Sequence, residues 1–297
     1  RGGEHLSPTP VSNTGDGVAM AEAVGGTADI VFKDAAAWMP VSKVPFGNGE
    51  FGVFPHLLDR YKPGIIGVLQ NGQRFTNESN SYHDVGAALI RACEGQKDTA
   101  MWLICDKPTM AKYGLGYAKP APMPLGGLIR SGYLIKGNTL TELAYNAGID
   151  AAGLEQAVRA YNVGAVKGED PEFGRGRTAF NRYLADPENK PNPCVAPVRT
   201  GPFYAVKVIM GDLGTFDGIK TSVVGEVLKR DGSAIDGLYA VGNDRASIMG
   251  GNYPGAGITH GPNMTFGYLT AHHIADRAGA GASGSSTAPQ RRAGVAA

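Results

Sequence analysis

The residues best suited to do chemistry lie in a glycine-rich stretch near the carboxyl end of this 297-residue chain. Within residues 237–274, Tyr253 and Pro254 are surrounded by Gly250, Gly251, Gly255 and Gly257. Glycines at this density let a backbone approach a ligand closely, and a loop that leads into a helix directs unpaired N–H groups at an anionic or electron-rich partner. Because glycine loses much conformational freedom on folding, the pattern favours a ligand-binding loop over a simple glycine-rich connection.

The elements that must position this loop are a strand before it and a helix after it. The apolar run Leu238–Val241 predicts a buried strand that ends at Gly242. A helix that ends near Arg277 is predicted from apolar residues at helical spacing, among them Met264, Tyr268 and Leu269. At the other end of the chain, SNTGDG (12–17) precedes a small-residue helix, and its side chains are of the types that cap helix N-termini.

Between these ends, the pattern predicts alternating strands and helices. Asn71-Gly72 predicts a hairpin turn between strands 64–70 and 73–78. Further elements are predicted, in chain order, as a helix on Tyr82, Val85, Leu89 and Ile90, a strand at Met101–Cys105, a helix capped by Thr139 and Glu142, a helix on Leu154, Ala157, Val158 and Tyr161, and a strand at Phe203–Met210. The polar segment 167–197 predicts a long solvated surface loop.

Composition excludes several classes of function. A formal net charge of +1 gives no electrostatic footprint for nucleic acid, and no apolar run is long enough to span a membrane. Three scattered cysteines and six histidines show no metal-ligand spacing, so we expect reduced thiols, no metal and a cytoplasmic location.

GLYAVGND followed by NYPGAGITHGPNMTFGY resembles the C-terminal flavin-binding signature of the fumarate reductase and 3-ketosteroid dehydrogenase flavoproteins. The resemblance extends from SNTGDG to the helix ending near Arg277, and it implies FAD as the cofactor. The strand–GxGxxG–helix unit that holds the FAD pyrophosphate in such proteins is absent from the sequence. The resemblance therefore implies a missing N-terminal FAD-binding segment, lost by truncation or supplied by a partner chain.

The fold implied is α/β, with an α+β capping domain inserted in a Rossmann-like FAD-binding domain that lacks its N-terminal βαβ unit. The expected boundaries are 1–43 for part of the FAD-binding domain, 44–210 for the capping or substrate domain, 211–278 for the C-terminal part of the FAD-binding domain, and 279–297 for a disordered tail.

The resemblance also assigns cofactor contacts. Asp16 would lie beside the flavin, although a helix cap requires the same residue type, so both interpretations stay open. Asp244, after Gly242 and Asn243, would meet the ribityl chain. The N–H groups of Gly257, Ile258 and Thr259 would face the pyrimidine end of the isoalloxazine.

The family divides on its catalytic residues. Fumarate reductases carry an arginine shortly after the NE of GxRFxNE and another in the C-terminal glycine-rich loop, where this chain has Tyr82 and Tyr253. Tyrosine cannot form a bidentate pair with a carboxylate, so a dicarboxylate substrate is disfavoured. By resemblance to 3-ketosteroid Δ1-dehydrogenases, Tyr82 would be the base, while the Tyr253 hydroxyl and the Gly257 N–H would hold the ketone oxygen. Tyr82 could also be an ordinary core aromatic.

Three hypotheses follow from the sequence. The first is an FAD-dependent oxidoreductase acting on CH–CH groups, which dehydrogenates a 3-ketosteroid or similar small apolar cyclic ketone and passes electrons to an external, quinone-like acceptor. The second is a fumarate reductase-like or succinate dehydrogenase-like flavoprotein acting on another small substrate. The third is a non-catalytic fragment that needs a separate nucleotide-binding part.

Overall fold

The computed structural model describes residues 4–32 and 35–284, which divide into two compact units. The described residues of the first unit fall in Arg1–Val11, Ala36–Gly214 and Asn252–Gly255. Those of the second fall in Ser12–Ala35, Thr215–Gly251 and Ala256–Ala297. The first unit begins before residue 44 and ends after residue 210 because the two strands that cross those positions belong to one sheet.

The predicted α/β class is confirmed by the described elements. The helices are α1 (Asp16–Ala23), α2 (Tyr82–Ala92), α3 (Lys107–Tyr113), α4 (Gly126–Arg130), α5 (Leu140–Ala147), α6 (Ala151–Ala165), α7 (Ala179–Arg182) and α8 (His260–Gly284), with short 3-10 helices at Asp59–Tyr61 and Gly242–Asp244. The strands are β1 (Ala28–Asp29), β2 (Ala36–Pro45), β3 (Phe51–Pro55), β4 (Ile66–Val68), β5 (Ala100–Cys105), β6 (Ile135–Gly137), β7 (Phe203–Thr215), β8 (Gly218–Ile219), β9 (Glu226–Leu228) and β10 (Ala234–Tyr239).

The first unit is built on one sheet with the order β3-β2-β7-β5-β4, to which β6 adds by pairing with β7. Every residue of β5 is buried, because side chains that alternate along the strand enter two different cores. Met101 and Leu103 join the core that includes Val85 and Leu89 of α2. Trp102 joins the opposite core, which α5 and α6 cover. The sheet is therefore a central layer with helices on both faces.

The hairpin prediction is only half right. Asn71-Gly72 does form the turn, with Gly72 at a φ of 76° and the Leu69 N–H donating to the Gln73 carbonyl over 2.9 Å. The return strand predicted at 73–78 is a single bridge between Val68 and Arg74. The segment leaves the sheet because Arg74 and Glu78 enter a buried ion network.

The second unit has much less regular structure. It contains two two-stranded pairings, β1 with β8 and β9 with β10, and a small core in which Ala21, Ile219, Val227 and Ala240 are buried. The predicted buried strand at 238–241 is corrected to β10, which ends at Tyr239 and has no fully buried residue. Two-stranded ribbons bury little surface, so this unit has few of the contacts that stabilise the first.

Helix α8 confirms the helix predicted after the glycine-rich loop and extends it. It runs to Gly284, so 279–284, which were predicted to begin a disordered tail, are helical. The remainder of that predicted tail lies outside the described residues. Within α8, the apolar side chains of Met264, Tyr268 and Leu269 are exposed, that of Met264 by 74%. Throughout the ranges described above, the helices are too short or too polar to cross a bilayer.

Candidate functional site

The sequence-predicted catalytic tyrosines meet in the first unit. The rings of Tyr82 and Tyr253 lie 5.0 Å apart between centroids, and the two side chains share a hydrogen bond. Both residues are buried, although 170 positions separate them in the chain. The structure thus brings together two phenols at which a ketone could be held and deprotonated.

The electrostatic state of Tyr82 is unlike that of a ready base. Burial raises the pKa of the Tyr82 phenol above its ordinary value, and the hydrogen bond to Tyr253 and the nearby phenols of Tyr183 and Tyr61 raise it further. In this state Tyr82 is a neutral hydrogen-bond donor at neutral pH. A catalytic Tyr82 therefore depends on a partner that stabilises its phenolate or accepts its proton.

Tyr82 is positioned by the start of α2. Ser81 caps this helix, and its hydroxyl accepts from the Asp84 N–H over 3.1 Å. Just upstream, the Arg60 guanidinium donates to the carbonyls of Glu78 and Asn80 over 2.6 and 3.2 Å. The backbone that leads to Tyr82 is therefore fixed by buried, charge-assisted hydrogen bonds.

A buried ion network underlies that backbone segment. Arg74 forms bidentate contacts of 2.8–2.9 Å with both Glu78 and Asp170. Burial alone would raise the pKa of Glu78, but the guanidiniums of Arg74 and Arg175 hold it below its usual range, and Arg74 has the same effect on Asp170. Both carboxylates are therefore ionised at neutral pH, and the network is held by full charges.

Arg175 ties this network to the rest of the first unit. Its guanidinium donates to the carbonyls of Arg60 and Lys62, each over 2.8 Å, and to the carbonyl of Ile65. It also donates to the Ser79 hydroxyl over 2.9 Å. The prediction of a solvated loop at 167–197 is therefore wrong for its charged centre, since Arg175 is 1% exposed.

The loop that carries Tyr253 packs closely on the same region. A Cβ placed on Gly255 would lie 3.0 Å from the Phe180 ring, and Phe180 in turn contacts Tyr61 and Tyr183 at centroid distances of 6.2 and 5.5 Å. Glycine at position 255 therefore permits this close approach. Tyr253 thus lies beside a cluster of aromatic rings.

The predicted cofactor residues lie in the second unit. Asp16 is the first residue of α1, and the helix is capped by Gly15 at a φ of 82° without any side-chain hydrogen bond. The capping interpretation of Asp16 is therefore wrong, and its carboxylate accepts from the Thr14 hydroxyl over 2.8 Å. A Cβ on Gly17 would lie only 2.9 Å from the Asp244 carboxyl carbon, so α1 begins directly against Asp244.

A second contact joins the other predicted cofactor residues. The Asn263 side chain donates to the Asn243 side-chain oxygen over 3.2 Å, and the Asn263 N–H donates to the Thr259 carbonyl over 3.1 Å. This link holds the turn at Gly242–Asp244 next to the start of α8. Sequence reasoning overlooked Asn263, although its position one turn into the predicted helix could have drawn attention to it.

The start of α8 offers donors to a ligand. Gly257 has a φ of 92°, and its carbonyl accepts the Gly261 N–H at the first helical bond. In the part of the chain that the structure describes, no hydrogen-bond acceptor meets the N–H groups of Gly257, Ile258 and Thr259. These N–H donors suit the polar surface of a flavin. The absence of a side chain at Gly17 leaves room for the Asp244 carboxylate, which suits the same surface as an acceptor.

In the ranges that the structure covers, no group of three or more His, Cys, Asp or Glu side chains could hold a metal ion. The cysteines are buried free thiols, and burial raises the pKa of Cys93, Cys105 and Cys194.

Comparison with known proteins identifies the family to which the chain is similar. Residues 1–259 match the family described as FAD binding domain. The chain is 47% identical to 4-oxocyclohex-2-ene-1-carboxylate 5-dehydrogenase of Sinomonas cyclohexanicum over 94% of its own length and 47% of that protein. It is 42% identical to 3-oxosteroid 1-dehydrogenase of Mycobacterium tuberculosis over 90% of its own length and 47% of that protein.

A solved structure shows the same fold. The 3-ketosteroid Δ1-dehydrogenase of Sterolibacterium denitrificans, in complex with 1,4-androstadiene-3,17-dione, superposes with a TM-score of 0.82 and 40% identity. The match covers 92% of this chain and 48% of that one. The chain thus spans about half the length of the relatives it matches. The resemblance and the FAD prediction are confirmed: the chain belongs to the FAD binding domain family of flavoproteins.

Proposed function

We propose that this chain is the substrate-activating part of an FAD-dependent dehydrogenase that introduces a C=C bond next to a ring ketone. The observation that carries the proposal is the buried, hydrogen-bonded pair of Tyr82 and Tyr253. The relatives named above are dehydrogenases of 3-oxosteroids and of a ring ketone that bears a carboxylate, which supports a cyclic ketone as the substrate class.

In this proposal, each tyrosine has one task. The Tyr253 hydroxyl donates a hydrogen bond to the ketone oxygen, and the Gly257 N–H is the second donor. Together they stabilise the negative charge that develops on that oxygen when the adjacent carbon loses its proton. Tyr82 accepts that proton as its phenolate, after its own proton has passed to solvent water. FAD, when bound, accepts the hydride from the neighbouring carbon.

The raised pKa of Tyr82 decides what else the reaction requires. A neutral phenol has to lose its own proton before its oxygen can accept another, so the reaction requires conditions in the bound state that stabilise the Tyr82 phenolate. We propose that the hydrogen bond to Tyr253 is broken when the ketone binds, because the Tyr253 hydroxyl then turns to the ketone oxygen. That removes one of the causes that raise the pKa of Tyr82.

The cofactor contacts that we propose are those of the second unit. Asp16 and Asp244 would accept hydrogen bonds from the hydroxyls of the ribityl chain, with Gly242 and Asn243 keeping the turn close. The N–H groups of Gly257, Ile258 and Thr259 would donate to the pyrimidine end of the isoalloxazine.

A further polypeptide segment completes the site in this proposal. The exposed apolar side chains of α8, including Met264 and Tyr268, form a surface that a packed flavoprotein would cover. We propose that a nucleotide-binding βαβ segment, from the same or another chain, covers this surface. We also propose a quinone-like electron acceptor and a cytoplasmic location.

The proposal is tested by anaerobic titration of the FAD-loaded protein with three compounds: a 3-ketosteroid, 4-oxocyclohexanecarboxylate and succinate. Bleaching of the flavin absorbance by either ketone supports the proposal and identifies the substrate class. Bleaching by succinate alone would support the fumarate reductase-like alternative. If no compound bleaches bound flavin, the proposed dehydrogenase activity of this chain is contradicted.

A further inference from the structure

Arg245 is a half-buried cation with unused hydrogen-bonding capacity. Its Nε and Nη1 atoms are buried, and neither has a hydrogen-bond partner within residues 4–32 and 35–284. The guanidinium lies over the Phe266 ring, with Cζ 4.0 Å from the ring centroid. Burial lowers the pKa of Arg245, yet an arginine remains charged at neutral pH. A buried charge without hydrogen-bonded compensation is costly, so this site calls for an anionic partner.

The acidic residues of the second unit do not supply that partner. Among the described residues, no carboxylate forms an ion pair with Arg245, and several are engaged elsewhere. Asp217 accepts the Val31 N–H over 3.0 Å. Glu226 pairs with Arg277 over 3.1 Å. The charge of Arg245 therefore remains available to a ligand.

The backbone holds Arg245 beside the predicted cofactor residues. Arg245 follows Asp244 directly, and it forms a parallel bridge with Ile219. The next residue, Ala246, donates its N–H to the Ile219 carbonyl over 2.9 Å. A Cβ on Gly218 would lie 2.6 Å from the Asp244 carbonyl oxygen, so the two backbone segments are in close contact. The backbone from which the Arg245 side chain projects is thus fixed, one residue after Asp244.

We infer that Arg245 binds the pyrophosphate group of FAD. The inference rests on the proposed function, because it assumes that this chain binds the dinucleotide. In oxidised FAD the pyrophosphate carries the negative charge, while the isoalloxazine is neutral. A guanidinium suits this group because its planar set of donors can contact two phosphate oxygens at once. The two buried N–H groups of Arg245 thereby gain acceptors.

The test compares three probes on the full chain and on its Arg245→Gln variant: FAD, riboflavin and inorganic pyrophosphate. Dissociation constants are measured by equilibrium dialysis. We expect Arg245→Gln to weaken FAD binding about 10- to 100-fold, because a charge-assisted contact to phosphate is lost. Riboflavin, which has no phosphate, should bind both proteins with the same affinity within about twofold. Pyrophosphate should compete with FAD on the wild-type chain and lose that effect in the variant.

The matched control is Arg230→Gln. Arg230 belongs to the same unit but is exposed, so its loss should leave all three affinities unchanged. Circular dichroism reports whether each variant keeps its helix content.

Three outcomes would overturn the inference. Equal FAD affinity in the wild-type and Arg245→Gln chains would show that Arg245 does not bind the pyrophosphate, and it would leave the proposed dehydrogenase function intact. Equal weakening of FAD and riboflavin would place the role of Arg245 in the fold or at the isoalloxazine. A wild-type chain that binds neither FAD nor pyrophosphate would contradict the inference together with the proposed cofactor site. Conversely, if FAD binds through Arg245 but no ketone reduces it, only the proposed function fails.

Discussion

At the scale of single residues, the catalytic role proposed for Tyr82 depends on a phenol that is hard to ionise. The pKa of Tyr82 is raised by burial and by its hydrogen bond to Tyr253, and burial likewise raises the pKa of Tyr61 to about 12. A tyrosine whose folded-state pKa exceeds its unfolded value of about 10 binds its proton more tightly in the folded protein. Its contribution to stability is complete below about pH 10 and is lost as the pH rises through the folded-state pKa.

The Tyr82→Phe substitution should therefore change how the free energy of unfolding depends on pH in the alkaline range. The variant lacks this ionisation, so its free energy of unfolding should fall less steeply than that of the wild-type chain above about pH 10. Below that pH, the difference between the two proteins should be constant. Urea unfolding at a series of pH values measures both. Parallel curves up to the highest pH at which the chain folds would show that the pKa of Tyr82 is not raised.

Gly17 supports a second prediction at this scale. A Cβ at this position would lie 2.9 Å from the Asp244 carboxyl carbon, so Gly17→Ala must displace that carboxylate. The exposed Asp244 side chain can rotate away at little cost to the fold, but it then leaves its proposed place at the cofactor, so we expect FAD affinity to fall by about tenfold or more. Fluorescence titration with FAD measures the change.

Gly267→Ala is the control for that substitution, because Gly267 lies in α8 and a Cβ there would meet no atom within 4 Å. Its FAD affinity should match that of the wild-type chain. If Gly17→Ala also binds FAD normally, Asp244 has no part in holding the cofactor.

At the scale of elements, the network around Arg74 holds the segment that leads into α2. Asp170 and Glu78 share the Arg74 guanidinium, and each carboxylate is nearly inaccessible to solvent. Removing one partner of a buried ion pair leaves the other charge uncompensated, which costs about 3–5 kcal/mol. Loss of this network would increase the mobility of the backbone segment that leads to Tyr82.

Asp170→Asn tests this role. We expect the free energy of unfolding to fall by about 3–5 kcal/mol in urea, because Arg74 loses a buried counter-charge. Glu172→Gln is the matched control, since Glu172 contacts the same guanidinium at 3.4 Å but its side chain is 55% exposed. That change should cost less than about 1 kcal/mol. Equal losses in the two variants would contradict a special role for the buried pair.

The elements also show what the sequence could predict. Strand β5 and helix α2 followed from apolar periodicity, because both pack on the sheet's cores and their patterns are regular. The buried centre of the 167–197 segment could not be predicted in this way. Asp170 and Arg175 are polar, and their burial depends on Arg74 and Glu78, about 100 residues away, with which local periodicity has no connection. The pairing of Tyr82 with Tyr253 was accessible only through family resemblance.

At the scale of the whole molecule, the two units differ in how much structure supports them. The first has a six-stranded sheet with a core on each face. The second has two-stranded pairings and the small core around Ile219 and Val227. Isolated two-stranded ribbons are marginally stable, so the second unit depends more on what it binds.

This difference predicts unequal hydrogen exchange. In the absence of FAD, the amides of β9 and β10 should exchange well before those of β5, because less buried surface opposes their opening. FAD should slow exchange in the second unit and at the start of α8, while β5 changes little. Hydrogen exchange followed by mass spectrometry resolves these peptides. Equal protection of β5 and β10 without FAD would contradict this view of the molecule.

The central claim is that Tyr82 removes the proton next to a ring ketone. The most direct measurement is the rate of anaerobic flavin reduction by the ketone that bleaches the wild-type protein, compared in Tyr82→Phe and Tyr145→Phe. Tyr145 is 86% exposed, so its variant should react at the wild-type rate. We predict that Tyr82→Phe slows reduction about 10²- to 10⁴-fold while still binding FAD, because the proton acceptor is lost. Reduction of Tyr82→Phe at the wild-type rate would contradict the account.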